Sequence, residues 1–340
     1  MVKIANIMHG AGAALAISLI AANPLAAQSA AWDNVVAEAK KEGKLTIYNG
    51  TNYRVVRMVA AEFTKKYGIR VDVLDARTTE IRERIRVEQA TNRTVASLSF
   101  SGWTTLSTQQ AEGVWRKVDA IPNVAKLQDP LKSNGMLVPA VTGSFAIAIN
   151  TSLVKPEDEP KSWHDLADPK WKGKILSDDP RAAGAGNVWF EATYNAFGPG
   201  FHEKINAQGP VFSRVFPENQ RRLARGEFAL YIPFAISEIA GLRGLPVKAI
   251  IPVEGAPYVP FAWGMLHDAP APNAGHLFIN YSLEDEAQAV FASEGFTPAI
   301  PAAREKVPAD VKPLVNAKLL GTTTVGKLDE MVKAAQALYK

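Results

Sequence analysis

The chain contains no cysteine. That excludes thiol catalysis, iron–sulfur clusters, zinc ribbons and any disulfide framework. It has no uninterrupted apolar run of the roughly 20 residues that a spanning helix needs. It also lacks a strong charge of either sign. Its 38 basic and 34 acidic residues leave a formal charge of +4. A nucleic-acid binder would gather its Lys and Arg into runs, and none is present. Histidine is scarce, with five in 340 residues, and His164, His202, His267 and His276 show no metal-ligand spacing. No G-x-S-x-G elbow, H-E-x-x-H pair or phosphate-binding P-loop occurs. Internal repeats and low-complexity segments are likewise absent. What remains is an ordinary globular composition, 47% hydrophobic and 21% charged. Its length suits about two domains, and a core of that size needs no covalent staple.

The first thirty residues differ from the rest. Lys3 is the only charge before Asp33, and residues 11–22 (AGAALAISLIAA) are small and apolar. Asn23-Pro24 breaks the stretch, and Leu25-Ala26-Ala27 offers small residues at a cleavage site. A basic start, a short apolar stretch and a small-residue exit predict a signal peptide over residues 1–27, with the mature chain starting near Gln28 in the periplasm. The competing reading is a buried N-terminal helix. No cysteine follows the apolar stretch, which excludes a lipid anchor.

The following residues alternate between strand and helix patterns. Residues 32–41 read as a helix stopped by Gly43, 44–48 (KLTIY) as a strand, and 55–67 as an amphipathic helix ended by Gly68. Residues 69–74 (IRVDVL) alternate like a strand. Residues 79–89 form a charged helix with Ile81, Ile85 and Val87 turned inward, and 95–100 make a third strand. This β-α-β-α-β order predicts a parallel sheet with crossover helices and ligands beyond the carboxyl ends of its strands. A second unit repeats the build. Its strands are expected at 174–176, 228–232 and 246–252, with helices at 188–197 and 217–225. Residues 258–266 (YVPFAWGML) then return, followed by helices at 273–281 and 283–293.

Several stretches carry a family resemblance. They are LTIYNGTN (45–52), FTKKYGIRV (63–71), Asn150-Thr151, Gly226-Glu227 and Ala271-Pro272-Asn273-Ala274. The most specific is residues 160–181, with Lys161-Ser162-Trp163, Asp165-Leu166, the block Asp168-Pro169-Lys170-Trp171-Lys172-Gly173-Lys174, and Asp179-Pro180-Arg181. The chain resembles the periplasmic solute-binding proteins of ABC importers, family 1, the ferric iron–polyamine–phosphonate group. The resemblance implies an α/β, two-lobed periplasmic binding protein, type II-like, with mixed, mostly parallel sheets, flanking helices and a central cleft. It implies no catalysis and no cofactor, and as partners a small-molecule ligand, an ABC permease and its ATPase. The expected plan is lobe one from 28–142 and 263–310, an inserted lobe two from 143–262, and a C-terminal helical segment (311–340) packing on a lobe. Two crossings are expected, near 143–151 and 260–266, and the protein is expected to be a monomer. The chain departs from the family at Ala96-Ser97-Leu98, where Ala-Asp-Val is usual. Iron-binding members also place two adjacent tyrosines where this chain reads Leu230-Tyr231-Ile232-Pro233-Phe234. Ferric iron requires several anionic oxygen or imidazole ligands, so one tyrosine and scattered histidines speak for another ligand.

Each candidate site residue has a functional and a plain reading. Asp179 through Asn187 (DPRAAGAGN) precedes a helix. Gly184, Ala185 and Gly186 would leave backbone N–H groups open to an anion, and Arg181 would add a bidentate fork. The plain reading is a Gly-rich loop with Arg181 in a surface ion pair. Thr51, Asn52, Thr78 and Thr79 are lobe-one donors or helix N-caps. Ser99 and Ser101 belong with them, and Trp103 is a wall residue. Tyr231 and Trp263 are an aromatic wall or core packing. Trp115, Trp163 and Trp171 read as structural. Glu80 with Glu83, and Asp178 with Asp179, read as solvated faces or caps. The favoured ligand is an anion, carboxylated or phosphorylated. Polyamines or other organic cations and ferric iron are the alternatives within the class. A periplasmic enzyme and a sensory binding protein are the alternatives outside it.

Overall fold

A computed structural model describes residues 24–50, 53–118, 121–306 and 312–340. The predicted signal segment lies outside the described residues up to Asn23, and Pro24–Ala27 form the start of the first helix. The elements run in order as α1 (Pro24–Glu42), β1 (Lys44–Asn49), α2 (Tyr53–Tyr67), β2 (Arg70–Asp75), α3 (Thr78–Ala90), β3 (Leu98–Gly102), α4 (Trp103–Gln110) and β4 (Leu137–Asn150). Then come β5 (Ile175–Asp178), α5 (Ala185–Phe197), α6 (Pro199–Asn206), β6 (Val211–Ser213), α7 (Phe216–Ala224), β7 (Leu230–Ala235) and β8 (Val247–Ile250). The chain closes with β9 (Ala256–Met265), α8 (Pro272–Ser282), α9 (Asp285–Ser293), β10 (Thr297–Pro298), α10 (Lys312–Val315), β11 (Leu319–Gly321) and α11 (Leu328–Leu338). Among the described residues no helix is long and apolar enough to cross a membrane.

The strands follow the order β2-β1-β3-β9-β4-β7-β5-β6. The outer parts are parallel (β2-β1-β3 and β7-β5-β6), while the centre is antiparallel. Period-two alternation sends each strand's side chains to opposite faces. In the first half, Leu45, Ile47, Leu98, Phe100 and Trp263 enter a core with Val55 and Phe63 of α2, Phe278 of α8 and Phe291 of α9. Tyr48, Leu137 and Ala262 face the other side, against Ile81 and Ile85 of α3 and Leu106 of α4. Val87 is 46% exposed, so the inward turn expected for it is not made. In the second half, Ile147, Ile149, Leu230 and Ile232 pack on α5, α6 and α11. Ala148, Leu176, Tyr231 and Phe234 pack with Leu223 of α7 on the reverse face. The two halves, with separate cores, are lobe one and lobe two.

β4 joins them. All 14 of its residues are buried. It pairs with β9 from Leu137 to Ser144, then with β7 and β8 from Phe145 to Asn150. β9 runs back antiparallel and reaches β3 with its last five residues, Phe261 to Met265. Besides these two passages there is a third, which the sequence patterns do not reveal. β11 pairs in parallel with β9 and leads from α10, whose Val315 packs on Ala292, to α11 on lobe two. Two local devices fix the flanking helices. Glu42, at the end of α1, accepts from the Asn273 and Ala274 N–H groups at the head of α8, a carboxylate on a helix N-terminus. Asp168 accepts from Lys170 N, and Ser162 and Asp165 form a capping box, so the most family-specific block builds the approach to β5.

The C-terminal helix is held by a buried polar chain. His202 of α6 is fully buried, with Nε2 3.2 Å from Thr193 Oγ1 and Nδ1 2.7 Å from the Tyr339 hydroxyl. Burial pushes the imidazole pKa down to about 3, so it is neutral at physiological pH. Tyr339→Phe should leave Nδ1 buried without a partner and reduce the unfolding free energy by ~1–3 kcal/mol. Urea denaturation checks this, and an unchanged midpoint would show that the chain contributes nothing to docking.

Candidate functional site

The register decides which strand ends meet. β3 runs antiparallel to β9, with Gly102 opposite Phe261, so the carboxyl ends of β1, β2 and β3 point toward lobe two. β7 runs antiparallel to β4, with Ala235 opposite Phe145, so the carboxyl ends of β7 and β5 point toward lobe one. The two sets of ends face each other across the β4–β9 passage, where open α/β sheets bind their ligands.

On lobe one these ends bring Gly50, Thr78 and Ser101 together. The Thr78 hydroxyl donates to Gly50 O at 3.0 Å, and a Cβ on Gly50 would lie 3.0 Å from Thr78 Oγ1 and 3.2 Å from Ser101 Oγ. A side chain at Gly50 would crowd both hydroxyls. Thr78 is therefore not the side-chain cap of α3, which has none. Behind the cluster, Asn49 Nδ2 donates to Asp75 Oδ1 at 2.7 Å, and Arg57 Nε lies 2.5 Å from Asp75 Oδ2. Thr51 and Asn52 lie outside the described residues. Thr79 is exposed on the outer groove of α3 beside Glu80 and Glu83, apart from the cluster.

On lobe two the head of α5 borders a cavity of about 180 Å³, lined by Asp178, Asp179, residues 182–186, Ser213 and Arg214. Gly184 (φ +149°) turns the chain into the helix, and Gly186 is required because a Cβ there would lie 2.6 Å from Asp178 O. The Asn187 and Val188 N–H groups return to Gly184 O. The Ala185 and Gly186 amides thus head the helix beside the cavity, a setting that favours negative charge.

Three expected ligand contacts are placed elsewhere. Arg181 is turned onto Asp179 (Nε to Oδ1 2.8 Å) and stacks 4.7 Å from the Phe212 ring centroid. Its Nη1 reaches Tyr339 O, so it docks the C-terminal helix, and Arg214 is the cation lining the cavity. Tyr231 is fully buried because α7 and α5 cover both faces of β7, and its hydroxyl donates to Asp178 Oδ1 at 2.8 Å. Trp263 is also fully buried, 4.3 Å from Phe100 between ring centroids. Neither Tyr231 nor Trp263 forms a cleft wall.

Sequence reasoning missed Asp178. It is a buried carboxyl at the cavity floor, not a solvated cap, and Asn219 Nδ2 joins Tyr231 in donating to Oδ1. Burial raises its pKa to about 7, and the two neutral donors pull it back only in part. Burial works the same way on Asp179, but Arg181 and Arg214 outweigh it and hold that carboxyl below its ordinary range. Burial, then the neighbouring Asp178, drive the Tyr231 phenol well above its ordinary value. The only sequence signal for this asymmetry is the adjacency of the two aspartates at a strand end. Among the described residues no group of three or more His, Cys, Asp or Glu is arranged to hold a metal.

The sequence profile of the bacterial extracellular solute-binding proteins matches residues 58–318. An uncharacterized protein of Haemophilus influenzae is 24% identical over 276 residues, 77% of this chain and 79% of its own length. Among solved structures, the substrate-binding protein of an ABC transporter from Agrobacterium tumefaciens is similar with a TM-score of 0.74. It is 16% identical, covering 87% of this chain and 94% of its own. The Trichodesmium protein IdiA (FutA), in complex with iron and citrate ligands, gives a TM-score of 0.71 at 19% identity, over 87% of this chain and all of its own.

Asp178 and His202 titrate in opposite senses. Asp178 binds its proton more tightly when folded, so its contribution is whole below pH 3.8 and is lost as the pH rises to about 7. His202 sheds its proton on folding, so its contribution grows from about pH 3 to 6.5. The two slopes oppose each other between about pH 4 and 6.5. Asp178→Asn removes one of them. Relative to the parent, the variant should gain about 1 kcal/mol per pH unit from pH 4 to 7 and level off above. Urea unfolding at four pH values measures this, and parallel curves for parent and variant would refute the burial argument.

Proposed function

The chain belongs to the bacterial extracellular solute-binding proteins, and from that premise we propose that it captures a small anionic solute between its lobes and hands it to an ABC permease driven by an ATPase. Carboxylates, phosphonates and phosphate esters are the favoured solutes. The carrying observation is the head of α5, two amides over a cavity with Arg214 at its rim, on a strand end that faces the hydroxyls of Thr78 and Ser101. The family binds solutes and does not turn them over. We place the protein in the periplasm as a monomer, exported by residues 1–27. The lobe boundaries fall on β4 near Ser144 and on β9 near Phe261, where the pairing partners change. Closure is then a bend about these strands, driven by the solute's preference for the closed form.

Ferric iron is the second reading, favoured by the likeness to the iron- and citrate-bound Trichodesmium protein. Asp178 and Tyr231 are hard oxygen donors in contact with each other, and such donors suit ferric iron. The phenol is buried, so direct ligation would require β7 to expose it. A ferric–carboxylate chelate avoids this, because its anionic rim would meet the head of α5.

A thermal-shift and calorimetric panel tests both readings: organic acids, phosphonates, sugar phosphates, amines, and ferric iron with and without citrate. A solute at 100 times its Kd should stabilise the protein by about 2.7 kcal/mol. Metal-free anions shifting the melt support the first reading, and a shift confined to ferric samples supports the second. No shift from any of them defeats both. With the solute found, small-angle scattering should show a smaller radius of gyration, and an unchanged curve from an open apo form would defeat hinge closure.

The same panel ranks the arginines. Arg214→Ala should weaken anion binding by roughly tenfold or more, as expected of a charge-assisted bond worth about 1.5–3 kcal/mol. Arg181→Ala should act mainly on stability, through Asp179 and the C-terminal helix. Calorimetry giving equal losses of affinity would return Arg181 to the binding surface.

A further inference from the structure

We propose that Thr323 and Thr324 form a strap tying α4 of lobe one to α5 of lobe two, with Glu191 as its positioning residue, and that this strap limits how far the cleft opens. The inference rests on reading the space between the lobes as the solute cleft. Two adjacent residues of the third passage bond to opposite lobes. The Thr323 hydroxyl lies 2.8 Å from the Thr104 hydroxyl on α4, and the Thr324 N–H donates to Glu191 Oε1 on α5 at 2.8 Å.

Both ends of the strap are anchored. On its amino side, Ala256 N donates to Lys318 O at 2.8 Å, and β11 pairs with β9 at Leu319–Ala256 and Gly321–Pro257. Two glycines permit this approach. A Cβ on Gly255 (φ +118°) would lie 2.8 Å from Lys318 O, and one on Gly321 would lie 3.3 Å from the Ala192 Cβ. On its carboxyl side, α11 docks on lobe two through Tyr339 and His202. Only Thr322 separates the paired Gly321 from Thr323, and the next residue, Thr324, is bonded to α5, so rotation about β4 and β9 would break the hydroxyl pair or carry α4 along.

Glu191 is fully buried, and its Oε2 has no hydrogen-bond partner among the described residues. A carboxylate in such a place is costly unless it holds something in position. What it holds is the Thr324 amide. The hydroxyl pair is a contact that water can replace, which suits a reversible fastener. Both helices joined border the site. α4 begins directly after Ser101-Gly102, and the head of α5 borders the cavity. Opening, the strap and the solute surfaces are therefore mechanically linked.

The absence of cysteine allows a direct measurement. In the mature full-length protein, Lys65→Cys on α2 and Lys204→Cys on α6 carry spin labels, and pulsed dipolar spectroscopy reads the distance between lobes with no solute added. Thr323→Val should shift the distribution to longer distances. Glu191→Ala should do the same and speed exchange of the Thr324 amide at least tenfold. Glu191→Gln keeps a carbonyl acceptor and should match the parent in both readouts. Should Glu191→Ala fail to fold, Thr323→Val and Thr104→Val decide the matter. Parental distances in both threonine variants would overturn the strap, as would Glu191→Gln behaving like Glu191→Ala. Because no solute enters the measurement, shifted distances with a failed solute panel would overturn solute capture alone.

Discussion

Every feature of the cleft depends on the backbone ladder that β4 and β9 form through the middle of the molecule. β4 is buried from Leu137 to Asn150, so each of its peptide groups must find a partner, and it does so by changing neighbours partway along. The first half of β4 belongs to the lobe-one sheet and the second half to the lobe-two sheet. A strand shared in this way cannot slip, because a one-residue shift would turn both cores inside out. The shared strand also fixes the direction of its neighbours. Given antiparallel pairing on β4 and β9, the parallel outer strands of both lobes must present their carboxyl ends to the same gap. Gly143 serves the same geometry, since a Cβ there would collide with the Phe261 ring at 2.7 Å.

Electrostatics then separates two adjacent aspartates. Asp178 and Asp179 sit one residue apart at the end of β5, where side chains alternate between the two faces. Asp178 turns inward to a phenol and an amide, both neutral donors. Asp179 turns toward two guanidinium groups. The first carboxyl takes up a proton near neutrality and the second stays ionised. Near the head of α5, an approaching anion therefore meets a neutralised Asp179 and an Asp178 whose charge depends on pH. An ionised Asp178 would repel any anion placed at that spot, and protonating it removes the repulsion.

Much of the scaffold was legible because it obeys simple periodicities. α2 and β1, β2 and β3 fall within a few residues of where alternation and glycine stops put them. The misses have physical reasons. The amino half of β4 contains Pro139, which disfavours a central strand, yet the register with β9 shifts between Pro139 and Val141 and accommodates it. α4 (WTTLSTQQ) buries only Leu106 and Gln109, too little for a helical stripe. β11 has three residues, below the length at which any period shows. Tyr231 and Trp263 were open to a wall role because a strand alone does not reveal whether helices cover one face or both. In both lobes they cover both, and the rings vanish into the cores.

The site was harder to see than the family, and the reason lies in where each kind of information resides. The block Asp168 through Lys174 marks the family because its side chains make structure: Asp168 caps a turn, Trp171 is buried, and Gly173 adopts φ +70° while its N–H reaches Gln208 O. Such roles demand particular residues. The proposed binding surface instead offers backbone amides at Ala185 and Gly186, whose identities matter only through the absence of bulk. Many sequences satisfy that condition, so the same pattern serves a binding site and an ordinary loop equally well. What distinguishes the two is the neighbourhood assembled from far along the chain. Asn219, Tyr231 and Arg214 gather around Asp178 and Asp179, and they do so only because β5, β6 and β7 lie side by side.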